Sequence, residues 1–279
     1  MPALSVTLSE VLPLFVLNLG VAFSAAVALW LCSIPLRDVS IIDRFFALVM
    51  LAITLASALW SQDVGPLQWL LLGMVLLWAL RITGYLTARN WGQGEDPRYS
   101  KLRNWVDNDR AFVWLSLRQV FLLQAAVLWL ATLPVQVAMQ AVAVTPGWLT
   151  LAGAGLWSLG LVFESVADEQ LRRFRADTDK RGTVLDSGLW RYSRHPNYFG
   201  ELCVWWGIWL VACETPLGVF TLVGPLAYSY LVINVTGQRT LDKKLAREKP
   251  GYADYMARTS GLFPLPPKRR GGSESQTRP

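Results

Sequence analysis

Charged and hydrogen-bonding side chains are concentrated in the segment 188–201, which reads GLWRYSRHPNYFGE. Its proline suits the first turn of a helix, which places Asn197 and Glu201 one turn apart on the same face. A helix start offers unpaired N–H groups to an anion, and arginine binds phosphate through two parallel hydrogen bonds. With Arg191 and Arg194 alongside, the segment predicts a site for a phosphorylated ligand.

The same segment contains the one histidine of the chain, His195, which is followed by Tyr198. We expect both side chains to contact the ligand, because the neighbouring arginines favour ligand binding over general-base chemistry by the histidine. A packed or capping histidine is the alternative interpretation.

A ladder of charges precedes this segment. Glu164, Asp168, Arg172 and Arg175 are spaced 4, 4 and 3 residues apart, which places them on one face of a helix. A solvated helix surface is the usual explanation of such a ladder. Here the ladder begins at the membrane edge of an apolar stretch, where charged residues are costly and a functional site is favoured.

A third group begins inside another apolar stretch, where Arg81 and Tyr85 are four residues apart and share a helix face. An arginine about two turns inside a membrane is costly unless it faces a cavity or a partner. The alternative is that its long side chain reaches out to the membrane interface. The segment WGQGEDP that follows is typical of a turn, in which Gly92 and Gly94 would let the backbone approach a ligand closely.

The elements that must position these residues are helices in a membrane. Of the 279 residues, 53% are hydrophobic and only 16% are charged, and the mean hydropathy is +0.34. A soluble domain carries about 25% charged residues. The apolar residues come in long blocks separated by charged segments, so the composition excludes an ordinary soluble domain.

A spanning helix needs about 20 mostly apolar residues. Seven stretches come close to this length: 11–33, 41–60, 66–88, 112–134, 147–167, 199–213 and 217–236. We therefore predict an all-α, polytopic protein with seven transmembrane helices, a single membrane domain at 1–263 and a disordered basic tail at 264–279. In the fifth stretch, small residues predict close packing against another helix: Gly153, Gly155 and Gly160.

Basic residues occupy alternate connections between these stretches. Arginine and lysine occur in four connections: 34–44, 89–111, 168–194 and the part of the chain after 237. The turns around Asp63, 135–146 and Glu214 contain neither. Because positive residues stay on the cytoplasmic side, the pattern predicts an outside N-terminus and a cytoplasmic C-terminus.

The orientation of the chain also accounts for its net charge of +6, which therefore gives no indication of nucleic-acid binding. The three cysteines, Cys32, Cys203 and Cys213, lie in apolar runs and form no C-x-x-C pair. With a single histidine, this pattern argues against a metal site, and an odd cysteine count argues against a disulfide framework. We expect no metal, whereas the oligomeric state is left open.

The sequence RHPNYFGE, preceded by GLWRYS, resembles the DUF1295 group of bacterial membrane proteins. This group is related to the steroid 5-alpha-reductases (3-oxo-5-alpha-steroid 4-dehydrogenases) and more distantly to the isoprenylcysteine carboxyl methyltransferases. The segments 89–99 and 163–170 match the same group, and the likeness covers about 40–265. It implies a seven-helix fold that opens to the cytoplasm, in a bacterial inner membrane.

The resemblance also implies NADPH, held among the cytoplasmic loops and helix ends. Alignment with the steroid reductases places polar cofactor contacts on five residues: Asp168, Arg172, Arg175, Asn197 and Glu201. It adds two basic contacts one turn apart on the last helix, Arg239 and Lys243. The full cofactor set that we predict also includes five neighbours: Asn90, Arg191, Arg194, His195 and Tyr198.

In those reductases, a Gln-Glu pair on the second helix and a tyrosine on the third hold the steroid 3-oxo group. Polarising this carbonyl allows hydride to add to the far carbon of the conjugated C=C bond, because negative charge then develops on the oxygen. Here the aligned acid is Asp43, preceded by Ile42, and the aligned aromatic residue is Trp78, which has no hydroxyl. The predicted catalytic residues are thus Asp43, Arg81 and Tyr85, and a helix cap is the alternative for Asp43.

The leading hypothesis is an NADPH-dependent membrane reductase that acts on a conjugated C=C bond of a hydrophobic enone, with the lipid bilayer as its surroundings. The first alternative is an S-adenosylmethionine-dependent methyltransferase of the isoprenylcysteine type. Such enzymes usually follow the last span with paired acids, whereas this chain has one acid there, Asp242. The second alternative is a non-catalytic lipid-binding protein, which would leave the polar motifs without a role.

Overall fold

The computed structural model describes residues 8–61, 63–141, 144–235 and 238–268, and 77% of these residues are helical. Within these residues there is no β-strand. The helices are α1 (Leu8–Leu36), α2 (Ile41–Trp60), α3 (Pro66–Asn90), α4 (Pro97–Arg103), α5 (Asp109–Ala131), α6 (Leu133–Ala138), α7 (Trp148–Ala176), α8 (Pro196–Ala212), α9 (Gly218–Asn234), α10 (Gln238–Glu248) and α11 (Tyr252–Arg258). The predicted all-α class is confirmed.

Five of these helices are long and apolar enough to cross a membrane: α1 from Val11 onward, α2, α3, α5 and α7. They correspond to the first five predicted spans. The predicted spans 199–213 and 217–236 fall on α8, which has 17 residues, and on α9, which is also under 18 residues. Seven spans and the orientation of the termini therefore stay predictions.

The described chain forms two compact units. The first comprises the described parts of 1–157 and 205–228, and the second those of 158–204 and 229–279. The C-terminal half of α7 and the N-terminal half of α8 belong to the second unit. Of the predicted tail, residues 264–268 have no regular secondary structure, and 269–279 lie outside the described residues.

A buried polar network links α1, α2 and α6 in the first unit. Asn18, which is fully buried, donates hydrogen bonds to the Ser57 hydroxyl at 2.8 Å and to the side-chain Oε1 of Gln136 at 3.1 Å. Pro134 stands in the first turn of α6, where its missing N–H and fixed φ separate this short helix from α5. Hydrogen bonds among side chains therefore hold the helices together where apolar packing alone would not fix their register.

Two glycines of α7 allow close contact with α8. A methyl group at Gly153 would lie 2.6 Å from the Gly207 carbonyl oxygen, and one at Gly160 would lie 2.5 Å from that of Gly200. Both distances are below van der Waals contact, so neither position accepts a side chain. A methyl group at Gly155 would meet nothing within 4 Å. The predicted close approach is confirmed for two of the three glycines.

The segment between α3 and α4 has the turn geometry that the sequence predicts. Gly92 and Gly94 both have φ of 72°, a left-handed backbone conformation that residues with a side chain rarely adopt. Asp96 then caps α4 by accepting the backbone N–H of Arg98 at 2.8 Å, and Pro97 takes the first helical position.

Candidate functional site

The charge ladder of α7 runs from buried acids to exposed arginines within the second unit. Glu164 and Asp168 are 1% and 2% exposed, whereas the side chains of Arg172 and Arg175 reach the surface. Asn197, at the start of α8, donates a hydrogen bond to Asp168 at 3.3 Å. The structure thus brings together two residues that the sequence assigns to the cofactor, Asp168 and Asn197, at the junction of two helices. Arg172 forms an ion pair with Glu169 at 2.6 Å.

Asn197 has an unsatisfied hydrogen-bonding group. Its side-chain Oδ1 is buried and has no hydrogen-bond partner among the described residues. A buried acceptor without a donor costs free energy, and such groups are often completed by a ligand. A hydroxyl or amide N–H of a bound molecule would supply the missing donor.

A second cation lies close to the arginines of the ladder. Lys249, before α11, donates its Nζ–H to the Thr183 carbonyl oxygen at 3.0 Å and lies over the Phe174 ring at 5.8 Å. Burial lowers the pKa of Lys249, and the positive charge of Arg175 lowers it further. Two cations held close enough to disfavour each other's charge would be stabilised by an anion between them. The sequence analysis missed Lys249, whose partners are distant in the chain.

Asp242 of α10 is the centre of a buried cluster. Its carboxylate accepts hydrogen bonds from Tyr252 at 2.6 Å and Arg194 at 2.8 Å, and His195 Nε2 lies 3.0 Å from its Oδ1. Burial alone would raise the pKa of Asp242, but the hydrogen bonds from His195, Arg194 and Tyr252 outweigh it and hold the pKa well below its usual range. The Arg194 guanidinium also donates to the carbonyl oxygens of Met256 at 3.2 Å and Thr259 at 2.5 Å.

The cluster assigns a structural task to two residues of the RHPN motif. Arg194 and His195 hold α10 and α11 against the start of α8, and His195 is 1% exposed. The geometry agrees with the packed role that the sequence left open for His195. Its ring stacks parallel to Tyr198 with centroids 5.2 Å apart, so it also orients that tyrosine. Asp242 could have been found as an acid among the basic residues of α10, but its partners could not.

The remaining predicted cofactor residues of the second unit lie at its surface. Arg191 is exposed and lines a cavity of about 440 Å³ together with Arg258 and Lys268. Glu201 is half-buried on α8 and Lys243 is exposed on α10. The side chain of Arg239 lies outside the described residues.

In the first unit, Asp43 lies in a charged cluster with residues of α4. Its carboxylate is 2.7 Å from the Arg98 guanidinium and accepts a hydrogen bond from the Tyr99 hydroxyl at 3.0 Å. Burial raises the pKa of Tyr99, and the negative charge of Asp43 raises it further. The carboxylate of Asp43 thus binds two side chains of α4 and does not act simply as a cap of α2. Arg98 and Tyr99 lie in the segment 89–99, which carries part of the family resemblance, but the sequence analysis did not identify them as site residues.

Two other predicted residues of the first unit, Arg81 and Tyr85, share one face of α3. The guanidinium of Arg81 lies 5.6 Å from the Tyr85 ring centroid and that of Arg89 lies 5.7 Å from it, so two cations flank one ring. Asn90 accepts a hydrogen bond from Arg89 at 3.0 Å. The predicted common face of Arg81 and Tyr85 is confirmed by this contact.

Aromatic side chains form the core of the same unit. Trp78, where the steroid reductases have a tyrosine, is fully buried and meets the Trp205 ring edge-on with centroids 5.2 Å apart. Tyr228 also packs against Trp205, with ring centroids 5.6 Å apart. The Trp205 indole N–H is buried without a hydrogen-bond partner among the described residues.

Comparison with known proteins gives the following matches. A family model described as a protein of unknown function (DUF1295) matches residues 29–259. The chain is 25% identical over 287 aligned residues to an uncharacterised protein of Schizosaccharomyces pombe, covering 90% of this chain and 79% of that protein. It is 34% identical over 79 residues to 3-oxo-5-alpha-steroid 4-dehydrogenase 1 of Mus musculus, and equally to that of Rattus norvegicus. These matches cover 27% of this chain and only 31% and 30% of the two enzymes. No solved structure matches the chain.

Proposed function

The chain belongs to the DUF1295 family, and we propose that it is a membrane reductase that uses NADPH to reduce a conjugated C=C bond. Its substrate in this proposal is a lipid-like enone of steroid or terpenoid type. The partial similarity to 3-oxo-5-alpha-steroid 4-dehydrogenase 1 supports reductase chemistry. The observation that carries the choice of cofactor is the pair of cations in the second unit, Arg175 and Lys249. Lys249 lies 5.8 Å from the ring centroid of Phe174, the neighbour of Arg175, and the charge of Arg175 lowers the pKa of Lys249.

NADPH matches this group of residues in charge and in hydrogen bonding. Its 2′-phosphate and pyrophosphate are anions that would relieve the repulsion between Arg175 and Lys249. Its ribose hydroxyls or carboxamide would supply the donor that Asn197 Oδ1 lacks. S-adenosylmethionine is a net cation, because its sulfonium and ammonium groups outweigh one carboxylate, and it would add to the repulsion.

The charged cluster of the first unit supplies the groups that carbonyl polarisation requires. The nicotinamide supplies the hydride, and its addition to an enone leaves negative charge on the carbonyl oxygen. Arg98 and Tyr99 are hydrogen-bond donors suited to that charge, and Asp43 orients both by accepting from each. We therefore assign Asp43 the role of orienting these donors.

The test is calorimetric titration of the purified full-length protein with NADPH, NADH and S-adenosylmethionine. We expect NADPH to bind at least about tenfold more tightly than NADH, since each charge-assisted contact to phosphate contributes about 1.5–3 kcal/mol. Lys249→Ala and Arg175→Ala should each remove most of this preference. Arg173→Ala is the matched control, because Arg173 is equally exposed on α7 but pairs with Glu169 at 2.6 Å and is not assigned to the site.

Two results would contradict the proposal. Binding of S-adenosylmethionine without binding of NADPH would favour the methyltransferase alternative. Equal binding of NADPH and NADH, unaffected by Lys249→Ala, would show that the cation pair does not recognise the 2′-phosphate.

A further inference from the structure

A cavity of about 560 Å³ lies in the first unit, where the end of α1 meets the start of α5 and the turn before α4. α1 is one of the helices long enough to span a membrane, and it ends at Leu36. The cavity therefore lies at the level where this helix would leave the bilayer. None of the residues that we assign to the reductase lines it.

The backbone of Arg37, which lines this cavity, has an unusual conformation. Arg37 N–H donates to the Ile34 carbonyl oxygen and Asp38 N–H to that of Ser33, both at 3.2 Å, so the helix ends in a Schellman-type turn. Arg37 occupies the left-handed position of this turn, with φ of 50°. Glycine is the usual residue there, because a side chain makes the conformation unfavourable. An arginine at this strained position is therefore a candidate for a functional side chain.

The charges in the cavity leave Arg37 without a partner. Arg103 lies 3.2 Å from Glu95 and 3.6 Å from Asp109, and its guanidinium stacks 3.9 Å from the Phe112 ring centroid. Glu95 also accepts the Val39 N–H at 3.0 Å, so both members of that ion pair are held in place. In the described parts of the chain, no carboxylate pairs with Arg37. The cavity thus offers an unpaired cation at one point and, at Asp109, a carboxylate that is 84% exposed.

Apolar surface continues from the cavity along both helices. Leu31 and Ile34 on α1 are 55% and 40% exposed, and Trp114 on α5 is 59% exposed. The two helices are fixed to each other here, because the Trp30 indole donates to the Val113 carbonyl oxygen at 3.0 Å. Apolar side chains exposed on helices long enough to span a membrane are expected to face lipid.

We propose that this cavity binds the headgroup of a phosphoethanolamine lipid. Arg37 holds the phosphate, the ammonium group faces the carboxylate of Asp109, and the acyl chains lie along Leu31 and Trp114. A headgroup with both charges matches a cavity that presents both, whereas a purely anionic headgroup would leave Asp109 with Arg103, at 3.6 Å, as its one cation among the described residues. The proposal does not depend on the reductase activity.

The test is a lipid titration of the delipidated full-length protein, followed by native mass spectrometry. Phosphatidylethanolamine, phosphatidylglycerol and phosphatidylcholine are compared, with soluble glycerophosphoethanolamine as a fourth ligand. We expect phosphatidylethanolamine to bind most tightly, because its ammonium can donate hydrogen bonds to a carboxylate and the trimethylated group of phosphatidylcholine cannot. Equal binding of the soluble compound would assign the site to a free metabolite and overturn the lipid proposal.

Arg37→Gly separates binding from folding. Glycine removes the guanidinium and relieves the backbone strain, so this variant should bind phosphatidylethanolamine about tenfold more weakly while its thermal midpoint stays the same or rises. Arg110→Ala is the control, because it removes one exposed charge from α5 that does not line the cavity. Unchanged lipid binding in Arg37→Gly would overturn the proposal.

Asp109→Asn tests whether the cavity recognises the ammonium group of the headgroup. This change should reduce the preference for phosphatidylethanolamine over phosphatidylglycerol while leaving binding of the phosphate intact. A preference that stays the same, or tighter binding of phosphatidylglycerol by the unmodified chain, would show that the ammonium group is not recognised.

Discussion

The imidazole Nε2 of His195 lies 3.0 Å from Oδ1 of Asp242, a residue 47 positions further along the chain. This contact joins the loop before α8 to α10, and it changes how the Arg-His-Pro-Asn motif is understood. Its first two residues hold the surrounding helices through Asp242, while Asn197 has a buried side-chain oxygen with no donor among the described residues. The motif thus divides between a structural part and a part that we propose for ligand binding.

Removing the Asp242 carboxylate should destabilise the second unit strongly. Asp242→Ala would leave Arg194, His195 and Tyr252 without their shared acceptor in a buried site, and breaking a buried ion pair costs about 3–5 kcal/mol. We expect a large fall in the thermal midpoint of the purified protein. Asp254→Ala, which removes an exposed carboxylate from α11, is the control and should change little. Similar midpoints for the two variants would contradict the structural role.

Acid should weaken the same cluster. The folded-state pKa of Asp242 lies below its ordinary value of 3.8, so the ionised carboxylate stabilises the fold at pH values above 3.8. This contribution is lost as the pH falls below 3.8 toward the folded-state pKa, because the unfolded chain then binds the proton first. Thermal midpoints measured from pH 7 to pH 3 should fall at the acid end, and the fall should be smaller in Asp242→Asn. An identical acid profile in the variant would contradict this linkage.

Local hydrophobicity explains why part of the fold could be predicted from the sequence. The second predicted span, 41–60, coincides with α2 at both ends, because the apolar run and its boundaries are adjacent in the sequence. The turn at Gly92 and Gly94 was also predictable, because the residue types that favour a turn are adjacent in the sequence. α8 was harder, since its 17 residues fall short of the length by which a span is identified.

The candidate site was predicted less completely, because its decisive contacts join distant residues. Nothing near Lys249 in the sequence indicates that it lies close to Arg175, and nothing near Asp43 indicates that Tyr99 donates to it. Residue type and helical spacing identified one residue of each contact, Arg175 and Asp43. The identity of the partner residue depends on how the helices pack, which a single sequence does not specify.

The contacts of the α7 glycines also depend on how the helices pack, and they allow a controlled test. Gly160→Ala places a methyl group 2.5 Å from the Gly200 carbonyl oxygen, so the two helix backbones would have to separate. Overpacking of this kind costs about 1–3 kcal/mol, and we expect a lower thermal midpoint. Gly155→Ala lies one to two turns away on the same helix, where a methyl group meets nothing within 4 Å. It should be neutral or stabilising by up to about 1 kcal/mol, because alanine favours the helix. A lower midpoint in both variants would show that the contact with Gly200 is not the cause.

The cluster around Asp43 can be assigned by separating turnover from cofactor binding. If Asp43 orients Arg98 and Tyr99 toward a developing negative charge, Asp43→Asn and Tyr99→Phe should lower the turnover of NADPH with steroid and terpenoid enones. Losing one such donor typically costs a factor of about 100 or more. The affinity for NADPH, measured by calorimetry, should change less than about threefold in both variants, because the proposed phosphate contacts lie on other residues. Asp63→Asn, a change at an exposed carboxylate of the first unit, is the control and should leave both quantities unchanged. Full turnover in Asp43→Asn, with a lowered thermal midpoint, would instead make this carboxylate a structural partner of α4.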